Sequence, residues 1–254
     1  MPIISDPLFW ALAIPAVLLT GISKGGFASG AGNAMVPMMA LVIPAPQAAG
    51  IALPLLCAMD IAGLRAWWGK WSRRELLTIL PGGLLGVALG SAAFGLMSDR
   101  QVKLMVGIIA LTFLARSLWQ ARPGARIPPP APPGRVRGGF WAALSGLTST
   151  IAHAGGPPLA VYLYPLRLER SALIATTIVF FGVMNYVKLV PYFLLGQLSA
   201  ANLLTSLLLL PLAPLGVRIG FWLSGRMSDR VFYRLIYAML AVTGSKLIWD
   251  GLGL

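Results

Sequence analysis

Five ionisable residues stand inside long apolar runs: Lys24, Asp60, His153, Lys188 and Arg218. A charge at the centre of a bilayer costs on the order of 3 kcal/mol on insertion scales, so each needs a partner or a purpose. Cations outnumber the single acid, and a cavity with that balance attracts an anion. Lys24, Lys188 and Arg218 are the candidate anion-contacting cations. Asn185 lies three residues before Lys188 and shares a helix face with it. His153, the only histidine, has the chemistry of a proton shuttle near neutral pH. Asp60, which aligns approximately with Asn185 across the two halves described below, is suited to carry a proton or to pair with a buried cation. Each has a plainer alternative. Lys24 could sit in an ordinary turn, His153 could be a hydrogen-bonded core residue, and Asp60 could make a structural salt bridge. Lys188 and Arg218 could snorkel to the membrane surface.

Lys24 and His153 both fall where the helical pattern fails. Residues 20–37 read TGISKGGFASGAGNAMVP, and residues 145–165 read SGLTSTIAHAGGPPLAVYLYP. Glycine and proline at membrane depth imply interrupted helices, which are tolerated only against protein or a water-filled cavity. Half-helix ends there offer free N–H groups and a dipole to an anion. The expected substrate-binding set is Lys24, Gly25, Gly26, Gly32, Asn33, His153, Gly155, Gly156, Asn185 and Lys188, with proton coupling through Asp60 or His153.

The elements that must hold these residues are membrane helices. Apolar residues make up 57% of the chain and charged residues 11%, against about 25% charge in a soluble domain. About ten hydrophobic segments follow one another, roughly 7–23, 27–44, 47–67, 76–96 and 101–119, then 138–152, 155–166, 171–194, 200–224 and 231–250. Segments 27–44 and 155–166 are short, so full crossing and re-entry both stay open. The fold class expected is an all-α polytopic membrane protein with 8–10 spans, some broken or re-entrant. No cleavable signal peptide is expected. With one cysteine, Cys57, and one histidine, no disulfide, metal site or cofactor is expected.

The second half repeats the first after about 130 residues: Pro81 meets Pro211, Gly86 meets Gly216, and Gly90 meets Gly220. The sequence MSDR at 97–100 recurs at 227–230, and Trp119 meets Trp249. Gly82, Gly86 and Gly90 line one helix face, as do Gly216, Gly220 and Ser224, and small residues let membrane helices pack closely. This divides the chain into a first repeat (1–119), a Pro/Arg-rich cytoplasmic linker (120–137) and a second repeat (138–254). Arg65, Lys70, Arg73 and Arg74, the linker arginines, and Arg226, Arg230 and Arg234 mark the cytoplasmic loops. Arg100 and Lys103 are the minority on the outside. Trp67, Trp68 and Trp71 fit an interfacial anchor. The two SDR loops then lie on opposite sides, which makes the repeats inverted, each of about five segments. The net charge of +13 is explained by these loops, so nucleic acid is not an expected partner.

The stretch KGGFASGAGNAMVP at 24–37, the stretch AGGPP at 154–158 and the two-half layout resemble the TauE/SafE sulfite exporter family, also known as the TSUP or DUF81 permeases. The resemblance covers nearly the whole chain. It implies a bacterial inner-membrane permease for sulfite, a sulfonate or another sulfur-containing organic anion. The expected function is therefore secondary transport of a small anion by alternating access between inverted halves. The alternatives are an anion channel and, further off, a membrane-embedded enzyme. No histidine cluster, paired acids or P-loop supports catalysis or ATP drive, so the protein is read as no enzyme. The expected partners are the anion and the lipid bilayer, and the oligomeric state is left open between monomer and homodimer.

Overall fold

The computed structural model describes residues 4–26, 34–120, 132–223 and 229–253, with Arg122 and Arg226. Among them every regular element is helical. Helices α1 (Pro7–Gly26), α3 (Ala45–Ala66), α4 (Arg73–Leu96) and α8 (Arg170–Leu194) are long and apolar enough to cross a membrane, as is the stretch Ala200–Leu223. That stretch is two helices in succession, α9 (Ala200–Leu209) and α10 (Leu212–Leu223). The rest are α2 (Met35–Met39), α5 (Asp99–Gln120), α6 (Arg135–Ala152), α7 (Gly156–Leu163) with a 3-10 turn (Tyr164–Leu166), and α11 (Asp229–Leu252). The protein is an all-α polytopic membrane protein.

The break in segment 200–224 has a local cause. Pro81 sits alone inside α4, which continues through it. Its counterpart Pro211 is followed by Pro214, so two N–H donors are missing within one turn, and the helix stops and restarts. Segment 155–166 is broken into short pieces, α7 and the 3-10 turn. The eight residues of α7 rise about 12 Å, against a hydrocarbon core of about 30 Å. The matching segment 27–44 contains only the five-residue α2 among its described residues.

Hydrogen bonds fix how the short elements turn back. Arg137, in the first turn of α6, donates to the Val161 carbonyl at 3.2 Å, and Tyr162 donates its hydroxyl to the buried Glu75 at 2.7 Å. Helix α7 therefore returns to the end of the bundle where α6 began. At the opposite end of the hairpin, residues 153–155 lie deep between α3 and α8. Helix α1 shows the same pattern with the ends exchanged. Its last turn reaches the C-terminal end of α3, where the Trp67 indole donates to the Gly25 carbonyl at 3.0 Å. The Ala45 amide that opens α3 donates to Asp99 at the start of α5, at 2.8 Å, which marks the other end of the bundle.

The closest helix pairs are exchanged between the two halves. Helix α4 packs along α6 in the same direction: Gly82 faces Gly139, Gly86 faces Ala143, and Gly90 faces Leu147 and Thr150. Helix α1 packs along α10 in the same way, with Gly21 against Gly216 and Ile22 against Gly220. Helices α3 and α8 run antiparallel, with Gly63 against Ile178 and Asp60 against Gly182. So do α5 and α11, with Gly107 against Gly244 and Gly251 against Leu104. Small residues at both exchanged contacts bring backbone against backbone, which supplies the dispersion that holds helices together in lipid.

A Cβ at Gly86 would overlap the backbone of Ala143 and Leu147, whereas one at Gly139 would meet nothing within 4 Å. Gly86→Val is expected to destabilise the purified protein by about 2 kcal/mol or more, as overpacking does. Gly139→Ala should leave stability unchanged or slightly raised. Thermal unfolding in detergent followed by intrinsic fluorescence reads both.

Candidate functional site

Two polar clusters lie in the bundle on either side of one turn of α8. The first joins α1, α3 and α8. Lys24, in the last turn of α1, makes an ion pair with Asp60 Oδ1 of α3. Asp60 Oδ2 accepts a hydrogen bond from the Asn185 side-chain amide of α8 at 2.6 Å. Asp60 is buried, and Lys24 is 16% exposed. Asp60 and Asn185, aligned across the two halves by sequence, thus meet at the antiparallel crossing of α3 and α8. Cys57, one turn earlier on α3, is buried beside them.

The second cluster joins α8 to the α6–α7 break. Lys188 is 0% exposed. Its Nζ donates to the Ser149 carbonyl at 3.0 Å and the Ser149 hydroxyl at 3.1 Å, and it meets His153 Nδ1 at 3.0 Å. His153 Nε2 lies 3.1 Å from the Ala49 carbonyl oxygen. A carbonyl can only accept, so Nε2 carries the hydrogen, and Nδ1 is then the acceptor for Lys188. With Nζ as an ammonium, all three contacts are donations. Tyr192, one turn beyond Lys188, donates to the Thr150 carbonyl at 2.5 Å and stacks on Phe94. Lys188 is fully buried, and the three atoms that its Nζ meets are all neutral.

Backbone geometry explains why the histidine stands there. His153 caps α6 in the left-handed region, with φ at 50°. Its amide bonds to the Ser149 carbonyl at 3.0 Å, and the Ala154 amide reaches Thr148 at 3.3 Å, which closes the helix end. A non-glycine residue in this conformation costs about 1 kcal/mol or more, which the ring contacts on both sides offset. Ser145 donates to the Gly155 carbonyl at 2.6 Å and fixes the start of α7. Pro157 and Pro158 lack N–H groups, so Gly155 and Gly156 supply the amides at that end.

The two breaks differ in polarity. Gly25 and Gly26 lie in the C-terminal turn of α1, and that end presents carbonyl oxygens. Trp67 binds the Gly25 carbonyl, and Arg170 donates to the Gly26 carbonyl at 3.1 Å. The amides expected to face an anion at this pair are committed to the helix instead. A Cβ at Gly25 would overlap the Val217 carbonyl, so this glycine serves close packing against α10. Gly32 and Asn33 lie outside the described residues. Arg218 is exposed on the outer face of α10, away from both clusters.

The structure thus gathers Lys24, Asp60 and Asn185 in one cluster and Lys188 and His153, with Gly155 and Gly156 adjacent in the chain, around the second break. Sequence reasoning missed Ser149 and Tyr192 as partners of the second cluster. Both stood one turn from a residue already singled out, four before His153 and four after Lys188, and that spacing was the available signal. Among the described residues no group of His, Cys, Asp and Glu could hold a metal.

A family model described as Sulfite exporter TauE/SafE matches residues 13–247 of the 254-residue chain. No curated protein and no solved structure matches it.

Lys24→Met is expected to cost about 3 kcal/mol or more of stability, because it leaves Asp60 charged and buried without its cation. The double variant Lys24→Met/Asp60→Leu should recover most of that loss. Thermal midpoints of the two single and the double variants, read as a cycle, measure the coupling.

Proposed function

The chain belongs to the TauE/SafE family of sulfite exporters, and from that premise we propose that it is a secondary transporter for a small anion, namely sulfite, a sulfonate or another sulfur-containing organic anion. The observation that carries this reading is Lys188. A fully buried ammonium with only neutral partners leaves one positive charge uncompensated in the middle of the bundle. A lone buried charge costs several kcal/mol, and an anion seated beside it relieves that cost. The first-turn amides of Gly155 and Gly156 at α7 add donors of the kind helix N-termini offer to anions. Asn185 and Lys24 bound the same region from α8 and α1.

Alternating access between inverted halves is supported by the exchanged packing. In a bundle whose halves were related by an axis along the membrane normal, equivalent helices would run in the same direction. Here α3 and α8 are antiparallel, as are α5 and α11. The hairpins α1–α2 and α6–α7 enter from opposite ends. The glycine-lined contacts α4–α6 and α1–α10 join one half to the other and give two surfaces for rocking. Arg65, Lys70, Arg73, Arg74, Arg135, Arg137, Arg167 and Arg170 gather at one end, which we assign to the cytoplasm of a bacterial inner membrane. The working unit is a single chain or a homodimer in that membrane, divided into repeats at 1–119 and 138–254. Asp60 is the better candidate for proton coupling than His153, whose two ring nitrogens are both engaged in holding α3 and Lys188.

Purified protein in liposomes tests the reading. Labelled sulfite is expected to enter with saturation and to show counterflow, which a channel does not. Lys188→Gln should reduce the initial rate at least tenfold while the protein still elutes as a folded species. Non-saturable flux, or normal uptake by Lys188→Gln, would remove the proposal.

A further inference from the structure

We infer that Asp60 sets the charge of the anion this protein accepts: a monoanion binds with Asp60 ionised, and a dianion binds only together with a proton on Asp60. The inference rests on the anion-transport reading above and concerns the same region. Three charged side chains occupy it: Lys24, Lys188 and Asp60. Lys24 is neutralised by Asp60, and the remaining charge is the single one on Lys188. One negative charge brings the cluster to neutrality. A second would stand uncompensated in a water-poor interior and be strongly disfavoured.

Asp60 is built to be the variable member. Its Oδ1 is buried and faces the Lys24 ammonium, and its Oδ2 takes the amide of Asn185, which is neutral. A proton on Oδ1 would release Lys24 without disturbing Asn185. The region then holds two free cations and fits two negative charges. The carboxylate is in effect a tethered anion that competes for Lys24 with the second charge of a dianion. The groups that face Asp60 are Lys24 from α1, Asn185, Tyr186 and Lys188 from α8, and Cys57 from its own helix. His153 joins the cluster through Lys188. Among these, Asp60 is the carboxylate and the group whose neutral form adds one positive charge to the site.

Methanesulfonate and sulfate test this, because they are similar tetrahedral anions that differ by one charge. Calorimetry of the detergent-purified protein in two buffers of different ionisation enthalpy reads the protons taken up on binding. Sulfate is expected to bind with uptake of about one proton per anion, and methanesulfonate with none. In Asp60→Asn, which keeps an oxygen for Asn185, sulfate should bind without proton uptake. Its affinity relative to methanesulfonate should rise at least tenfold. Equal proton uptake for the two anions in the wild-type protein would overturn the inference and leave the transport reading standing. So would an unchanged affinity ratio in Asp60→Asn. If neither anion binds the wild-type protein, the anion seat itself falls, and this inference with it. The wild-type comparison needs no variant to fold.

Discussion

Three helices from both halves of the chain meet at one buried carboxylate. Asp60 of α3 holds Lys24 of α1 and Asn185 of α8, and with Trp67 and Arg170 it places the last turn of α1. A carboxylate in this setting is tolerable only when it is paired and hydrogen-bonded at once. The requirement fixes the rotation of α3 and α8 about their axes and the depth of α1. Lys188 follows, because it lies one turn from Asn185 on the same face. From Lys188 follow His153, the end of α6 and the return of α7.

Around that centre the packing is simple and repeated. Glycine at every fourth residue on α4, and at matching places on α10, lets two helix pairs approach to backbone contact. The charged cluster determines which helix faces turn inward, and the glycines determine how closely they sit. Lipid provides no hydrophobic drive for either step, so shape and hydrogen bonds must do both.

Much of the architecture was legible in the chain. The long apolar runs marked α1, α3, α4 and α8, since nothing else explains so many uncharged residues in a row. The Gly/Pro interruptions near Lys24 and His153 marked where helices stop. The distribution of arginine and tryptophan marked one end of the bundle. The break at Pro211 was less visible, because Pro81 occupies the same place in the repeat and leaves its helix intact. A second proline one turn on decides the difference, and periodicity does not register it.

The site divided along the same line. Residue type and hydropathy alone identified Lys24, Asp60, His153, Asn185 and Lys188, because a polar group in an apolar run is expensive wherever it points. What they do to one another depends on the rotation and depth of three separate helices, and no local pattern encodes those. Only the tertiary structure decided that Lys24 pairs with a carboxylate while Lys188 meets only neutral groups. It also decided that Gly25 and Gly26 present carbonyls and that Ser149 completes the second cluster. Charge compensation is a relation across space, so it exists only once α1, α3, α6 and α8 are packed together.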